Sequence, residues 1–315
     1  MSTIDVQELT AEQVGAVRAL AEAVQNHDSI EALSEDTMLT LTRPGLLRLL
    51  RTGAHGELVA FAQLNAGSAE MAVHPEHRRR GHGGALLSAI LQADPATRIW
   101  AHGDLPPARS MAATYGLEQV RDLWVMSRPA PTPAQAPPVQ PPAGVQIRTF
   151  EVGTDEQAWL EVNSRAFADH PEQGRTTLAD LQARIEQPWF DPAGFWLAFD
   201  EATGQLLASM WTKVTGPDGA TGQGSTAEPA EQAARVGEIY VLGVDPAAQG
   251  RGLGSTLTGV AMHAFGQAGL DRLELYVEGE NAPAIAVYHR AGFQRSAVHV
   301  QYARLSSPGE PGMPR

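Results

Sequence analysis

The sequence predicts an α/β chain built as two tandem copies of one domain. Three observations carry that reading: the length, an internal repeat, and a Pro-rich segment between the copies. At roughly 150 residues per domain, 315 residues make two. Residues 72–87, AVHPEHRRRGHGGALL, return 171 positions later as residues 243–258, GVDPAAQGRGLGSTLT. Val73, Pro75, Arg80, Gly81, Gly83 and Leu86 thereby fall on Val244, Pro246, Arg251, Gly252, Gly254 and Leu257. Each copy follows a strand-like apolar run and leads into a stretch with helical spacing. Each half also ends in a similar helix–strand unit, YGLEQV at Gly116 and AGFQRS at Gly292, so duplication is the economical explanation.

Taken in order, residues 1–128 form the first domain. The MSTIDVQELTAEQ start is polar and acidic, and no run approaches the roughly 18 apolar residues that cross a bilayer. Neither a secretory signal nor a membrane anchor is therefore expected. Residues 129–143, PAPTPAQAPPVQPPA, hold seven of the 22 prolines and no charge, which favours extended polyproline II and predicts an unpacked, semi-rigid linker. Residues 144–305 form the second domain. Within it, strand-like runs at Leu206–Val214 and Gly237–Val244 flank a small, polar segment at 215–236 that predicts a long mobile loop. Residues 306–315 are expected to be a disordered tail.

Composition narrows the chemistry. A hydrophobic fraction of 43% supports packed cores, and 19% charged residues is far from the disordered regime. Thirty-six acids against 23 bases give a formal charge of −13, which disfavours a nucleic-acid partner. Cysteine is absent, which removes disulfides, thiolate metal sites and any cysteine nucleophile. The expectation is a cytoplasmic monomer without nucleic-acid or membrane partners. Of the 23 bases, Lys213 is the one lysine.

A strand ending in V-x-P, then Arg/Gln-x-x-Gly-x-Gly, then a helix, suits an anion. The glycines let the backbone turn tightly and approach a ligand, and the first helical N–H groups lack intrahelical partners and carry partial positive charge. A Walker A loop needs a Lys that GRGLGST lacks, and a Rossmann fingerprint needs glycine at Leu86 and Leu257. Both copies instead match the Arg/Gln-x-x-Gly-x-Gly/Ala loop of the GNAT acetyltransferases, through Arg78, Gly81 and Gly83 and through Gln249, Gly252 and Gly254. The chain thus resembles a tandem GNAT protein. That resemblance implies two GNAT domains, each a central mixed twisted sheet flanked by helices, with acetyl-CoA as acetyl donor.

In the second copy the resemblance implies cofactor contacts from Leu242, Gly243, Val244, Gln249, Gly250, Arg251, Gly252, Leu253, Gly254 and Ser255. Asn281 of LYVEGENAPAIAVYHRAGF stands where the cofactor is typically met, and Tyr288 is the implied general acid for the leaving thiolate. The first copy implies contacts from Met71, Ala72, Val73, Arg79, Arg80, Gly81, His82, Gly83 and Gly84. Aligning Gly116 with Gly292 puts Ala112 where Tyr288 stands, so this copy is expected to hold cofactor without catalysing transfer. Upstream of the second glycine turn, Glu238 of GEIYVLGV is the candidate base, sharing a strand face with Tyr240, Leu242 and Val244 if the strand is regular. Amides of Leu242 and Val244 would serve the pantetheine and the thioester carbonyl. Without cysteine, direct attack by the amine is expected.

Five segments tighten the resemblance: AFADHPEQG (166–174), PWFDPAG (188–194), WTKV (211–214), GEIYVLGVDPAAQGRGLG (237–254) and LYVEGEN (275–281). Together with EMAVHPEHRRRGHG (70–83) and WAHGDLPPA (100–108) they resemble the mycothiol synthase family, actinobacterial tandem GNAT enzymes that acetylate the cysteinyl amine of Cys-GlcN-Ins. Carried onto this sequence, that family's contacts to its pseudo-disaccharide amine fall on Glu35, Glu172, Lys213, Glu238 and Tyr276. Carboxylates and one ammonium donor suit an acceptor bearing an amine and many hydroxyls. A different small-amine or peptide N-acetyltransferase, or a non-enzymatic acetyl-CoA sensor, are the rival readings. His74 and His77 lack a third ligand, so no metal is expected. His102 and His170 are expected to hold turns, and Trp189, Phe190 and Trp196 to form core or cleft wall.

Overall fold

The computed structural model describes residues 3–6, 8–168, 170, 173–216 and 234–305. The first half runs β1 (Thr3–Val6), α1 (Ala11–Asp28), α2 (Glu35–Leu39), β2 (Leu47–Thr52), β3 (Leu58–Asn65), β4 (Ser68–Val73), α3 (His82–Ala93), β5 (Arg98–Ala101), α4 (Pro106–Tyr115) and β6 (Glu118–Pro129). The second runs β7 (Val145–Thr149), α5 (Glu156–Ala166), α6 (Leu178–Ile185), β8 (Phe195–Asp200), β9 (Leu206–Thr215), β10 (Val236–Val244), α7 (Leu253–Ala268), β11 (Arg272–Glu278), α8 (Ala282–Arg290) and β12 (Gln294–Ala303). Helix starts follow local chemistry. Thr10 and Gln13 close a capping box on α1, Thr177 and Asp180 do so on α6, and prolines occupy the first turns of α4 and α8.

The chain folds as two compact units, Met1–Leu123 with Ala297–Arg315, and Trp124–Ser296. Unit 1 orders its strands β1-β2-β3-β4-β5 and completes the sheet with the C-terminal part of β12, which pairs Val300 with Ala101 antiparallel. Its β1–β4 are antiparallel and β4–β5 parallel. One face packs on α3 and α4 around Leu86, Ile90 and Leu117, the other on α1 around Val17, Leu20 and Phe61. Unit 2 orders its strands β6-β11-β10-β9-β8-β7, antiparallel from β7 to β10 and parallel at β10–β11. Its faces are covered by α7 and α8 around Leu257, Phe265 and Phe293, and by α5 and α6 around Trp159, Leu181 and Trp211. Each unit is therefore a mixed twisted sheet flanked by helices.

Two sequence expectations need correction. The division falls at Leu123/Trp124 and Ser296/Ala297, so unit 1 is not the continuous stretch 1–128 but includes the chain's end, and unit 2 runs Trp124–Ser296 rather than 144–305. Strand partners come from far along the chain, a choice that local composition does not encode. Residues 129–143 lie inside unit 2 and pack there. Ala136 is buried, its carbonyl contacts His263 Nδ1 at 2.8 Å, and the segment lies against Gly259 and Gly266 of α7. Helical glycines leave a flat strip on which an extended Pro/Ala segment can lie. The expected loop at 215–236 begins after Thr215 and ends at β10; its residues 217–233, like the tail from Ser306, lie outside the described residues.

Candidate active site

In unit 2, β10 and β11 pair from Val236↔Arg272 to Ile239↔Leu275 and then part, opening a wedge between Tyr240–Val244 and Tyr276–Glu278. The Asp245 amide donates to Leu207 O on the β9 side at 2.8 Å. Because amides alternate between the two edges of a strand, those of Leu242 and Val244 face the wedge. Beyond it the chain turns through Gly250 (φ 79°) and Gly252 (φ 79°), and Gly252 starts α7 with no side-chain cap. The first amides of α7, at Leu253, Gly254 and Ser255, thus keep the donor capacity and positive end of a bare helix terminus. Gln249, Gly250, Arg251, Gly252 and Ser255 are exposed. Arg251 NH1 lies 3.6 Å from Asp200 Oδ2, an exposed pair that a stronger anion can displace. A left-handed turn, bare helix start and unpaired wedge amides together fit a pyrophosphate followed by an extended amide-bearing arm.

The expected face sharing of Glu238 with Leu242 and Val244 is not observed. The β9–β10 register shifts between Ile239 and Val241, a β-bulge at Tyr240. Before the bulge Ile239 packs on the α7 side, so Glu238 points the other way; after it Tyr240 and Val241 pack on the α5–α6 side, while Leu242 and Val244 turn to α7. The wedge therefore has an α7 face bearing Leu242 and Val244 and an opposite face bearing Glu238. On that opposite face Glu238 is paired across the strands with Lys213 on β9 and Glu274 on β11. Lys213 Nζ lies 4.7 Å from the Trp189 ring centroid and 5.7 Å from that of Tyr240. Tyr276 is 44% exposed, and Glu278 Oε1 meets His170 Nε2 at 3.3 Å. His170 Nδ1 also accepts from the Gln173 amide at 3.0 Å, holding the turn. Glu172 lies outside the described residues.

Tyr288 sits on α8, buried in the α7-side core, with its ring edge-on to Phe293 at 6.1 Å. Burial pushes its phenol far above the ordinary tyrosine range, so it stays protonated at neutral pH. Asn281 caps α8, its Oδ1 accepting from the Ala284 amide at 3.2 Å, and is exposed. A carboxylate on one face of the wedge and a protonated phenol on the other is an arrangement for removing a proton on one side of a bond change and delivering one on the other.

Unit 1 repeats the backbone of this site. The β4–β5 pairing stops at Ala69↔Ile99, the His74 amide donates to Val59 O at 2.9 Å, and Arg79 (φ 61°) and Gly81 (φ 84°) occupy the left-handed positions of Gly250 and Gly252. A cavity of about 640 Å³ is lined by Met71, Ala72, Val73, Arg79, Gly81, His82, Gly83 and Gly84, with Ala112 and Tyr115 of α4 on its wall. Arg80 is exposed and does not line it. Arg78 is turned away, forming two bonds of 2.8 and 2.7 Å to Asp28, so the motif's first residue here serves structure. The Tyr115 hydroxyl donates to Gly84 O at 2.9 Å. His82 Nδ1 accepts from Arg51 Nε at 3.2 Å, and burial with Arg51 lowers the pKa of the ring.

His102 does more than hold a turn. His299 Nδ1 accepts the Gly103 amide hydrogen at 3.0 Å, and His102 Nδ1 lies 3.2 Å from the same nitrogen. His102 Nε2 lies 3.2 Å from Glu70 Oε1, so the ring bridges Glu70 and His299. Burial pushes Glu70 up, but His102 and the Ser34 amide at 2.7 Å hold it below its ordinary value. Ser34 caps α2, whose first residue is the half-buried Glu35. Among the described residues no group of three His, Cys, Asp or Glu could hold a metal ion, and no helix is long and apolar enough to cross a membrane.

The profile of the acetyltransferase (GNAT) family matches residues 158–293. Mycothiol acetyltransferase of Thermomonospora curvata is 48% identical over 301 residues, covering 93% of this chain and 94% of that protein. Mycothiol acetyltransferase of Beutenbergia cavernae is 48% identical over 298 residues, with 91% and 94% covered. This chain belongs to the mycothiol acetyltransferase family. Like other GNAT acetyltransferases, members of this family use an acyl-CoA, and the chain is an N-acetyltransferase with a small-molecule substrate. The fold agrees. A tandem GNAT protein of the clavulanic acid biosynthesis pathway has a TM-score of 0.67 at 19% identity, covering 96% of this chain and 97% of that one. A GCN5-related N-acetyltransferase from Sphaerobacter thermophilus gives 0.63 at 22%, with 95% and 94% covered.

Sequence reasoning about this family member missed Tyr240 and Arg184, and gave Trp189 only a wall. Arg184 Nε donates to the Tyr240 hydroxyl at 2.9 Å. The local signal was present, in aromatic residues beside the one lysine, but only the β9–β10 pairing and the return of residues 184–189 over the sheet bring them together.

Proposed function

We propose that the chain transfers the acetyl group of acetyl-CoA to the cysteinyl amine of Cys-GlcN-Ins, the last step of mycothiol formation. Kinship at 48% identity over nearly the whole chain supports the reaction, and the pairing of Glu238 with Lys213 beside the wedge supports the acceptor. Acetyl-CoA supplies an activated thioester carbonyl. In unit 2 the turn of Gln249, Gly250, Arg251, Gly252, Leu253, Gly254 and Ser255 holds its pyrophosphate, and Gly243 allows close approach between Leu242 and Val244, whose amides hold the arm and the carbonyl oxygen. Asn281 lies at the α8 start beside that arm.

Glu238 takes the proton of the acceptor ammonium, directly or through one water, so that a neutral amine attacks. The N–C bond forms, the C–S bond breaks, Tyr288 gives its phenolic proton to the departing sulfur, and the second proton shed by the attacking nitrogen balances, through solvent, the one that restores the phenol. Lys213 and Tyr276, with Glu172, contact acceptor hydroxyls and ammonium. Unit 1 holds a second acyl-CoA through Met71–Val73 and Arg79–Gly84 and does not transfer, because Ala112 replaces the acid and the Tyr115 hydroxyl is committed to Gly84. The test is product formation by mass spectrometry with purified chain, acetyl-CoA and Cys-GlcN-Ins. Turnover is expected; brisk acetylation of aminoglycosides or peptide N-termini without it would replace the acceptor, and tight acetyl-CoA binding with no amine turned over would make the chain a sensor.

A further inference from the structure

Lys213 is flanked by two aromatic rings from separate segments. Its ammonium lies 4.7 Å from the Trp189 ring and 5.7 Å from the Tyr240 ring, distances at which the negative ring faces attract a cation. Those rings are themselves fixed. Trp189 is 8% exposed and packs against Trp211 at 5.8 Å and Tyr240 at 5.1 Å. Arg184 Nε donates to the Tyr240 hydroxyl at 2.9 Å, while Arg184 NH1 donates to Asp180 O at 3.0 Å within α6. Tyr240 stands two residues after Glu238 on β10 and so shares the face of Glu238 and its cross-strand partner Lys213; the bulge re-aims only the residues that follow it.

We propose that Trp189, Tyr240 and Arg184 are positioning residues that aim the Lys213 ammonium at the acceptor. The inference rests on the acceptor reading above. A long side chain on a strand samples many rotamers, and a donor must be pre-aimed to give binding energy to hydroxyl oxygens. Two inclined rings accept a compact ammonium from either side, whereas a planar guanidinium stacks on one ring and swings its donors away. The lone lysine in a chain of arginines is thereby explained by shape. The cage also sets selectivity: the acceptor end it meets carries oxygen acceptors, since a second ammonium would be repelled.

Steady-state kinetics on the full chain with Cys-GlcN-Ins and acetyl-CoA test this. Trp189→Leu and Lys213→Arg should each raise the acceptor KM about tenfold, with kcat within about twofold and the acetyl-CoA KM unchanged, the signature of lost uniform binding. Tyr240→Phe and Arg184→Gln, gentler on the core, should raise it about threefold, and Trp189→Phe should restore near-native KM. Because the rings act through Lys213, Trp189→Leu in a Lys213→Met background should add nothing. An unchanged acceptor KM in Trp189→Leu, a full additive effect in the double variant, or KM values for both substrates rising together with a lower Tm would each overturn the positioning role. Failure of the wild-type chain to turn over Cys-GlcN-Ins rejects the acceptor reading instead, a result visible before any variant is made.

Discussion

Tyr288→Phe deletes one hydroxyl from a ring that is 6% exposed and packed edge-on to Phe293 at 6.1 Å, so the aromatic volume and its contacts remain. A positioned general acid contributes about 10²- to 10⁴-fold to rate, or roughly 3–5 kcal/mol of transition-state stabilisation. The variant should lose about that much kcat with both KM values near wild type, since the proton is needed only as sulfur leaves. Stability should move the other way or not at all. Among the described residues nothing hydrogen-bonds the hydroxyl, so its removal relieves desolvation and changes unfolding free energy by no more than about 1 kcal/mol. Because burial holds the phenol protonated far above neutrality, the wild type should show no alkaline loss of kcat from this group up to about pH 10. The acceptor carries its own thiol, so turnover should be read as separated CoA by chromatography rather than with a thiol reagent. A kcat within twofold of wild type, or an activity loss matched by a large drop in Tm, would refute the acid role.

Three further outcomes follow from particular contacts. Arg79→Gly should leave stability unchanged or raised by about 1 kcal/mol, because a non-glycine residue at φ 61° is strained, while weakening acyl-CoA binding in unit 1 about tenfold by calorimetry. Burial and the charge of His102 pull His299 down to about 4 from its ordinary 6.5, so the unfolded chain binds more protons than the folded one across that window. Stability should accordingly fall as pH drops from about 6.5 to 4, by on the order of 3 kcal/mol, and His299→Gln should flatten Tm against pH there. The arginine-bonded Asp28 and Asp155, held below the ordinary carboxylate range, add losses only at lower pH. Gly266→Val should cost about 1–3 kcal/mol in chemical denaturation, because a Cβ there already lies 3.3 Å from Thr132 O and 3.4 Å from Ala136 Cβ.

The layout proposed for catalysis depends on one inserted residue. Without the bulge at Tyr240, Glu238 would share a face with Leu242 and Val244, and base, amides and Tyr288 would crowd one side of the sheet. With it, Glu238 and Lys213 stand on one side while Leu242, Val244 and Tyr288 stand on the other, which under the proposed roles would give the amine and the leaving sulfur separate approaches to one carbonyl.

By itself the sequence determined what is local. The two glycine turns could be read because a tight left-handed turn before a helix needs glycine or tolerates strain, and the paired positions 79/250 and 81/252 adopt it in both units. Strand extents at β9 and β10, the caps of α1 and α6, and the absence of thiol chemistry follow from neighbouring residues or from composition alone. Tertiary structure decided what depends on distant partners. Which strands complete each sheet, whether residues 129–143 pack, that Arg78 turns to Asp28 rather than to a phosphate, and that Trp189 and Tyr240 flank Lys213 all require segments tens of residues apart to meet. Register and pairing are energies of two strands together, and a bulge exists only relative to its partner, so no single stretch of sequence carries them.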